Sequence, residues 1–370
     1  MIIEELKLKN FRNYSELTLH PDPGVNLFYG RNGSGKTNLL EAIHYCCLGR
    51  SHRVSNDATI IRNGTAFGLS YVKIKNSLGF REIDVRFQPD DGQKKMIRID
   101  QKKISRFSDM MGCLCCVIFS PEDLGLIKEG PSLRRRYLDM MISQINRGYF
   151  IALQQYKSGM EQRNALLRQI KLNNWKNMGI LSAFEEAMAV PAEIIIRERR
   201  RITSILSEIA TETYKRISDT DEQFQLSYHS SFHEDTISEL FCRLLKENRE
   251  DDIRIGFTSV GPHRDDLNLI LNRSPMKQYA SQGQIRTAAL SMKLSQMKIL
   301  RNMTGEEPVL LLDDVMSELD RRRRTMLIDE LKEFQTFITC ADREDIDCGK
   351  VQKMWNVSVS EGIAQIQLTD

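Results

Sequence analysis

An α/β fold is what the sequence predicts, and three observations predict it. The octet GRNGSGKT at 30–37 stands between a short apolar run and an amphipathic stretch, the pattern of a strand feeding a helix through a glycine turn. The run VLLLDD at 309–314 puts four apolar residues before two carboxylates, as a buried strand does when its carboxyl end faces a ligand. Between them, residues 131–250 are poor in glycine and repeat apolar residues at helical spacing. The expected architecture is a phosphate-loop core built from both ends of the chain, an antiparallel β-subdomain and an inserted helical arm domain. The corresponding boundaries are 1–130, 131–250 and 251–370.

Taken in order, IIEELKLKNF and SELTLH alternate apolar and polar residues and read as strands with one buried face. PDPG breaks the chain, and VNLFYG is a strand ending at the first glycine of the octet, which opens a helix through NLLEAIHYCCLG. LSYVKIK, FREIDVRFQ and KKMIRIDQKKI are strands separated by the hairpin-type turns NSLG and PDDGQ, so they have antiparallel neighbours. In the arm, Leu153, Tyr156 and Met160, then Ala165, Leu166 and Ile170, share helix faces, and Pro191 is expected at a junction between helices. Beyond it IRIGFTS and LNLI read as strands, 282–303 as a helix, PVLLLDD as a buried strand, LDRRRRTMLIDELKEF as a helix and FQTFITC as another strand.

Charge balance narrows the function classes. Lysine and arginine number 53 against 50 acidic residues, a net charge of +3, so the chain is no indiscriminate polyanion binder and any nucleic-acid surface is local. Candidate basic clusters are Lys94–Lys95, Lys102–Lys103, Arg134–Arg136, Arg197 with Arg199–Arg201, and Arg321–Arg324. No recognition helix or zinc-finger pattern stands out, which fits binding to phosphates without sequence readout. The opening MIIEELKLKNFRNY lacks a basic segment followed by an apolar one, and no apolar run approaches the roughly 18 residues of a membrane span, so a cytoplasmic protein is expected. Cys113 and Cys116 stand at C-x-x-C spacing, but no second such pair completes a metal site, and the eight cysteines read as reduced core thiols.

The octet carries the strongest chemical signal. Gly30, Arg31, Asn32, Gly33, Ser34 and Gly35 make a turn whose backbone N–H groups face phosphate oxygens; Lys36 reaches the terminal phosphates, and Thr37 offers its hydroxyl to magnesium. The expected ligand is a nucleoside triphosphate with Mg2+. Asp313 can hold the metal through water, and Asp314 can orient the attacking water. Downstream, SQGQIRT at 281–287 opens a long helix whose unpaired N–H groups and positive dipole end favour an anion, with Ser281 placed as N-cap.

A large insertion between phosphate loop and catalytic strand, with a polar Ser/Gly helix opening before that strand, resembles the layout of ABC-type ATPase heads. In those heads the second helix N-terminus contacts the γ-phosphate held by another copy. GRNGSGKTNLLEAI, GRSHR at 49–53, FSPEDL at 119–124, PSLRRRYLD at 131–139, GPHRDDL at 261–267, SQGQIRT and LLLDDVMSELD at 310–320 together resemble the RecF family of SMC-like heads. The matches run from the first strand to about Thr339. The resemblance implies that Gly30 to Gly35, Lys36, Thr37 and Asn38 cradle ATP, that Lys36, Asp313 and Asp314 are catalytic, and that Thr37 and Asp313 serve magnesium. It implies that Ser281, Gln282 and Gly283 contact the γ-phosphate of the other copy and that Ser317 to Asp320 cross the dimer seam. Thr339 would sense the γ-phosphate, and Arg12 and Asn13 would make an N-terminal phosphate-side contact.

By the same resemblance, the protein is an ATP-dependent homodimer that clamps double-stranded DNA near single-strand gaps and hydrolyses ATP slowly under DNA stimulation. It works with RecR and RecO to help load RecA in recombinational repair and replication restart, and it supports SOS induction. Some departures bear on this. Asp314 stands where ABC transporters usually carry glutamate, and its shorter reach implies slow hydrolysis. Ile285 occupies a place often polar in the family, and Ile338-Thr339-Cys340 is less polar than its usual threonine-rich switch.

A stand-alone metabolic kinase or phosphohydrolase is the alternative of another class. It predicts a small-molecule acceptor pocket and has no use for SQGQ. An ABC transporter subunit is disfavoured by GPHRDD and the arm. His263, Asp265 and Asp266 form either a metal trio or a hydrogen-bond cluster, and the second is favoured. If half the arm formed one helix it would reach at most roughly 90 Å, and the broken pattern predicts a much shorter lobe.

Overall fold

The computed structural model describes residues 1–53, 57–88, 95–173, 178–233, 236–343 and 351–369. Alternation settles the first sheet: Ile3, Leu6 and Leu8 are buried while Lys7 and Lys9 are exposed. Its order is Tyr14–Leu19, Ile2–Phe11, Gly68–Asn76, Gly79–Phe87, Lys95–Ile99 and Lys102–Lys103, and every neighbouring pair is antiparallel. The hairpin signals NSLG and the alternating strands therefore mean what the sequence suggests.

The second sheet follows a different rule. Val309–Asp313, Thr336–Cys340 and Cys116–Phe119 are buried along their whole length, as strands covered on both faces are. The order is Ile363–Thr369, Lys353–Ser360, Val25–Tyr29, Thr336–Cys340, Val309–Asp313 and Cys116–Phe119. All pairs from Lys353–Ser360 onward are parallel, and the terminal hairpin is antiparallel. The helix Lys36–Leu48 starts at Gly35 and ends at Gly49, both left-handed, and is buried nearly all round, with Glu41 and His44 inside. Both sheets and this helix belong to one compact unit, Met1–Leu124 with Lys293–Asp370.

The other unit is Gly125–Met292. It contains the whole of 131–250 and continues past it, because Phe224–His229 pairs with Asp266–Leu271, and that strand with Ser274–Pro275, in one antiparallel sheet. Its helices are Pro131–Ile145, Arg147–Asn173, Met178–Ser218, Ile237–Glu247 and Arg249–Ile255, with shorter turns at Gly125–Lys128 and Met276–Tyr279. Three expectations fail here. Pro191 lies inside the 41-residue helix Met178–Ser218, not at a junction; only one helical N–H is lost, and Met188, Ala192, Ile195 and Ile196 are buried on either side of it. That helix is about 60 Å long at 1.5 Å per residue, longer than the broken pattern suggested. Within IRIGFTS, Arg254 and Ile255 close a helix instead of opening a strand: Glu250, Asp251 and Asp252 occupy its first turn and Gly256 ends it in the left-handed region.

Ion pairs buried in this unit tie the helices together. Arg163, fully buried, donates to Asp252 at 2.7 Å, Thr258 at 2.9 Å and Glu185 at 3.0 Å. Arg199 donates to Asp139 at 2.8 Å and to the Pro262 carbonyl at 2.6 Å. GPHRDD is part of the same scaffold. His263 is bonded through Nδ1 to the Tyr156 hydroxyl at 2.6 Å and through Nε2 to the Thr258 carbonyl at 3.0 Å. Arg134 pairs with Asp266 at 2.7 and 2.8 Å, and Tyr228 donates to Asp265. The hydrogen bonds to His263, Asp265 and Asp266 are what the hydrogen-bond reading of that trio expects. The described cysteines are free thiols, and burial pushes those of Cys46 and Cys115 up to about 12. No described helix is long and apolar enough to cross a membrane.

Candidate nucleotide site

The phosphate loop needs glycine where the sequence supplies it. A Cβ on Gly30 would stand 2.1 Å from the Val357 carbonyl, and Gly35, at φ +111°, would push one to 2.7 Å from the Asn13 amide. Asn13 braces the loop: its Nδ2 donates to the Ser34 carbonyl at 3.1 Å, and its Oδ1 accepts from Asn38 at 2.9 Å. The Tyr14 hydroxyl donates to the Gly35 carbonyl at 3.0 Å.

Lys36 is 7% exposed and donates to the carbonyls of Gly30 at 2.6 Å and Arg31 at 3.0 Å. Burial lowers its pKa, and the nearby Asp314, Cys340 and Asp313 oppose that shift. Thr37 donates its hydroxyl to Asp313 Oδ1 at 2.8 Å, and Thr339 donates to the same oxygen at 2.9 Å. The Asp314 N–H in turn donates to Thr339 Oγ1 at 3.0 Å, with the Asp314 backbone at φ +53°. A non-glycine residue in the left-handed region is strained, and this one directly follows the buried strand. Thr339 therefore links the Asp313 carboxylate to the Asp314 backbone.

Asn32, Gly33, Gly35 through Asn38, Asp313, Asp314 and Thr339 line one cavity of about 260 Å³, together with Arg53. The residues fit a magnesium nucleotide. Thr37 and Asp313 are an oxygen donor pair already within hydrogen-bond distance, and the buried Ser34 hydroxyl has no partner among the described residues.

Arg12 does not line this cavity. Its guanidinium is committed to Glu41 at 2.8 and 2.9 Å and to the Thr59 carbonyl at 2.8 Å. Glu41 is fully buried, and Ser51 donates to it as well. Burial alone would raise the Glu41 pKa, but the bonds from Arg12 and Ser51 outweigh it and hold the carboxyl below its ordinary range. Sequence reasoning missed this pair and Arg53, whose Nη1 donates to Asn38 Oδ1 at 3.2 Å. The available signal was a charged residue on an otherwise buried helix.

Ser281, Gln282 and Gly283 belong to the second unit, where Gln282–Thr304 begins. Ser281 and Gln284 form a reciprocal cap: Gln284 N–H donates to Ser281 Oγ at 3.3 Å, and Ser281 N–H donates to Gln284 Oε1 at 2.7 Å. The Gln282 side chain accepts from Lys128 at 2.9 Å, so a cation missed by the sequence reading stands beside the turn. Ile285 is buried, which accounts for an apolar residue there. In the first unit, Ser317 donates to the Asp314 carbonyl at 2.9 Å, and Asp320 caps the helix Arg321–Glu330.

The basic clusters divide. Arg134 and Arg199 are buried in ion pairs, whereas Lys102, Lys103, Arg321 and Arg322 are exposed; Lys94 lies outside the described residues.

The RecF/RecN/SMC N terminal domain model matches residues 2–364. The DNA replication and repair protein RecF of Ruminiclostridium cellulolyticum is 40% identical over 350 residues, covering 93% of this chain and 94% of that one. The chain belongs to the RecF family. The RecF of Lactobacillus johnsonii is 38% identical over 368 residues, with 97% and 98% covered. A solved structure described as the recombination mediator protein RecF-ATP in the RecFOR pathway matches at TM-score 0.91 and 35% identity, covering 99% of this chain and 97% of that chain. The Smc head domain derived from Pyrococcus furiosus matches at TM-score 0.59 and 16% identity, which shows a shared head fold. The expected α/β head architecture is thus found, and family membership disfavours a stand-alone metabolic kinase.

Proposed function

We propose that the protein is an ATP-controlled DNA clamp. The observation that carries the proposal is a phosphate-loop cavity in one unit and a capped SQGQ helix opening in the other. Lys36 exchanges the carbonyls of Gly30 and Arg31 for phosphate oxygens, and the loop from Gly30 to Gly35 with Asn38 supplies N–H and amide donors. Bound Mg2+ would neutralise charge on the terminal phosphates. Thr37 and Asp313 provide its protein oxygens. Asp314 accepts a proton from the attacking water, and the bond to Thr339 sets where that carboxylate begins. Ser281, Gln282 and Gly283 read the γ-phosphate held by a second copy, because Ser281 Oγ accepts within the turn and keeps its proton for an anion.

Closure then requires two triphosphates and two chains, and Ser317 to Asp320 form the seam. ATP drives closure only as far as the closed pair binds it better than the open head does. The closed pair grips duplex DNA near gaps through exposed basic residues without reading sequence. Slow, DNA-stimulated hydrolysis reopens it. Relatives described in the RecFOR pathway support RecO and RecR as partners, and RecA loading in the cytoplasm with support of SOS induction is the role proposed. We further propose 131–250 as the arm of this machine.

Sedimentation tests the core of this reading. The protein should be monomeric with ADP and dimeric with a non-hydrolysable ATP analogue plus Mg2+, and Ser281→Arg should stay monomeric with the analogue. A mass that ignores the nucleotide would sink the clamp.

A further inference from the structure

We propose that Glu222 is a positioning residue for the SQGQ turn: its carboxylate fixes the Gln284 side chain in the one orientation that closes the cap on Ser281. This rests on the reading of that turn as the γ-phosphate contact. A glutamine amide has one accepting and one donating end. Here the accepting end takes the Ser281 N–H at 2.7 Å, and the donating end gives to Glu222 Oε1 at 2.6 Å. A half-turn of the amide would set its oxygen against a carboxylate and its NH2 against the Ser281 N–H. Both contacts would become repulsive, so the carboxylate selects the capping orientation.

Glu222 is itself held from the long helix. Its Oε2 accepts from the Tyr214 hydroxyl at 2.9 Å and from Thr220 Oγ1 at 3.1 Å, and Tyr214 is fully buried near the end of Met178–Ser218. The next residue is tied as well: Gln223 N–H donates to Asn272 Oδ1 at 2.9 Å, and Asn272 N–H donates to the Gln223 carbonyl at 3.0 Å. A run of three hydrogen bonds thus leads from Tyr214 through Glu222 and Gln284 to Ser281. Displacing the end of that helix misaligns the group that reads phosphate, without touching the phosphate-loop cavity. Gln282 is steadied separately, by Lys128.

The test compares two readouts in the full-length protein: dimerisation with a non-hydrolysable ATP analogue and Mg2+, by sedimentation, and nucleotide affinity at dilute protein, with a fluorescent ATP analogue. Glu222→Ala should weaken dimerisation about tenfold, the scale of one lost hydrogen bond to a charged group, and leave dilute affinity unchanged. Glu222→Gln, whose amide oxygen still accepts from Gln284, should restore most of the loss. Adding Glu222→Ala to Gln284→Ala should cost nothing further. Wild-type dimerisation by Glu222→Ala, alongside a monomeric Ser281→Arg, would overturn the proposal and leave the turn's role intact. Equal loss in the Gln and Ala variants would overturn it too. Dimerisation of Ser281→Arg would remove the reading on which the proposal stands. Should the Ala variant fail to fold, the Gln variant and Gln284→Ala decide: Gln284→Ala must lose dimerisation while Glu222→Gln keeps it.

Discussion

The phosphate-loop cavity and the SQGQ turn are built in opposite ways. The cavity surrounds its cation with protein: Lys36 is 7% exposed, two loop carbonyls hold it, and Asp313 and Asp314 face it. The turn offers dipoles instead, a helix N-terminus with a hydroxyl proton and an amide cap, and the neighbouring cation Lys128 is engaged with Gln282. A full charge in a partly closed site can hold a nucleotide by itself, whereas helix-end dipoles contribute about 1 kcal/mol each and matter when a phosphate is presented to them. On the function proposed above, one unit would bind the nucleotide and the other would read what is bound.

That contrast is broken most directly at Lys36. Lys36→Ala should reduce triphosphate affinity about a thousandfold, through lost charge-assisted bonds to phosphate, with the unfolding midpoint little changed. Calorimetric titration that finds wild-type affinity would remove the cavity from the argument. Asp314→Asn sharpens the same side. It should slow hydrolysis about a hundredfold with binding and dimerisation retained, since the amide keeps the shape and loses the base. Parallel losses of binding and turnover would assign Asp314 to holding the nucleotide.

The two sites were not equally legible in the sequence. GRNGSGKT and VLLLDD could be read because each is one short segment whose pattern states its own context. SQGQ could be read as a cap from Ser281 and Gln284, three residues apart. Glu222 could not, because it reaches Gln284 across 62 residues and stands in a polar loop that looks like any other. Arg12 is a subtler case. KNFRNY pointed at the phosphates, but the arginine's guanidinium is bonded to Glu41, and its neighbours Asn13 and Tyr14 reach the loop. In the fold, alternating strands and continuous apolar strands declared themselves, while the start of IRIGFTS was misassigned because Ile253 and Ile255 outweighed the three carboxylates just before them, which open a helix. Pro191 misled for a related reason: local propensity marked a break that packing on both sides overrides.

The braces behind the two sites differ as well, and Glu41 tests the first. Glu41→Ala leaves Arg12 without its partner and should destabilise the protein by about 3 kcal/mol in denaturant unfolding, as when a buried pair loses one member. Because the Glu41 carboxyl titrates below its unfolded value in the folded protein, its contribution is present above the ordinary carboxylate range, near 4.3, and is lost as pH falls through the folded value. A variant as stable as the wild type would mean that Asn13 and Tyr14 hold the loop without the pair.

His263 is the counterpart in the second unit, and its sign follows from being buried neutral. Burial lowers its pKa from 6.5 to about 4, with Nε2–H donating to the Thr258 carbonyl and Nδ1 accepting from Tyr156. As pH falls below 6.5 the unfolded chain takes the proton first, so the stability from His263 is full above that value and drains away toward the folded pKa. Between pH 7 and pH 5 the loss should be about 2 kcal/mol. His263→Gln, which retains a donor and an acceptor, should flatten the unfolding free energy across that range even if it lowers it everywhere. An unchanged slope would move the acid sensitivity away from GPHRDD. A flattened one would separate the two units: a charged pair, present above the carboxylate range, behind the cavity, and a neutral imidazole, failing earlier in acid, in the unit that carries the SQGQ turn.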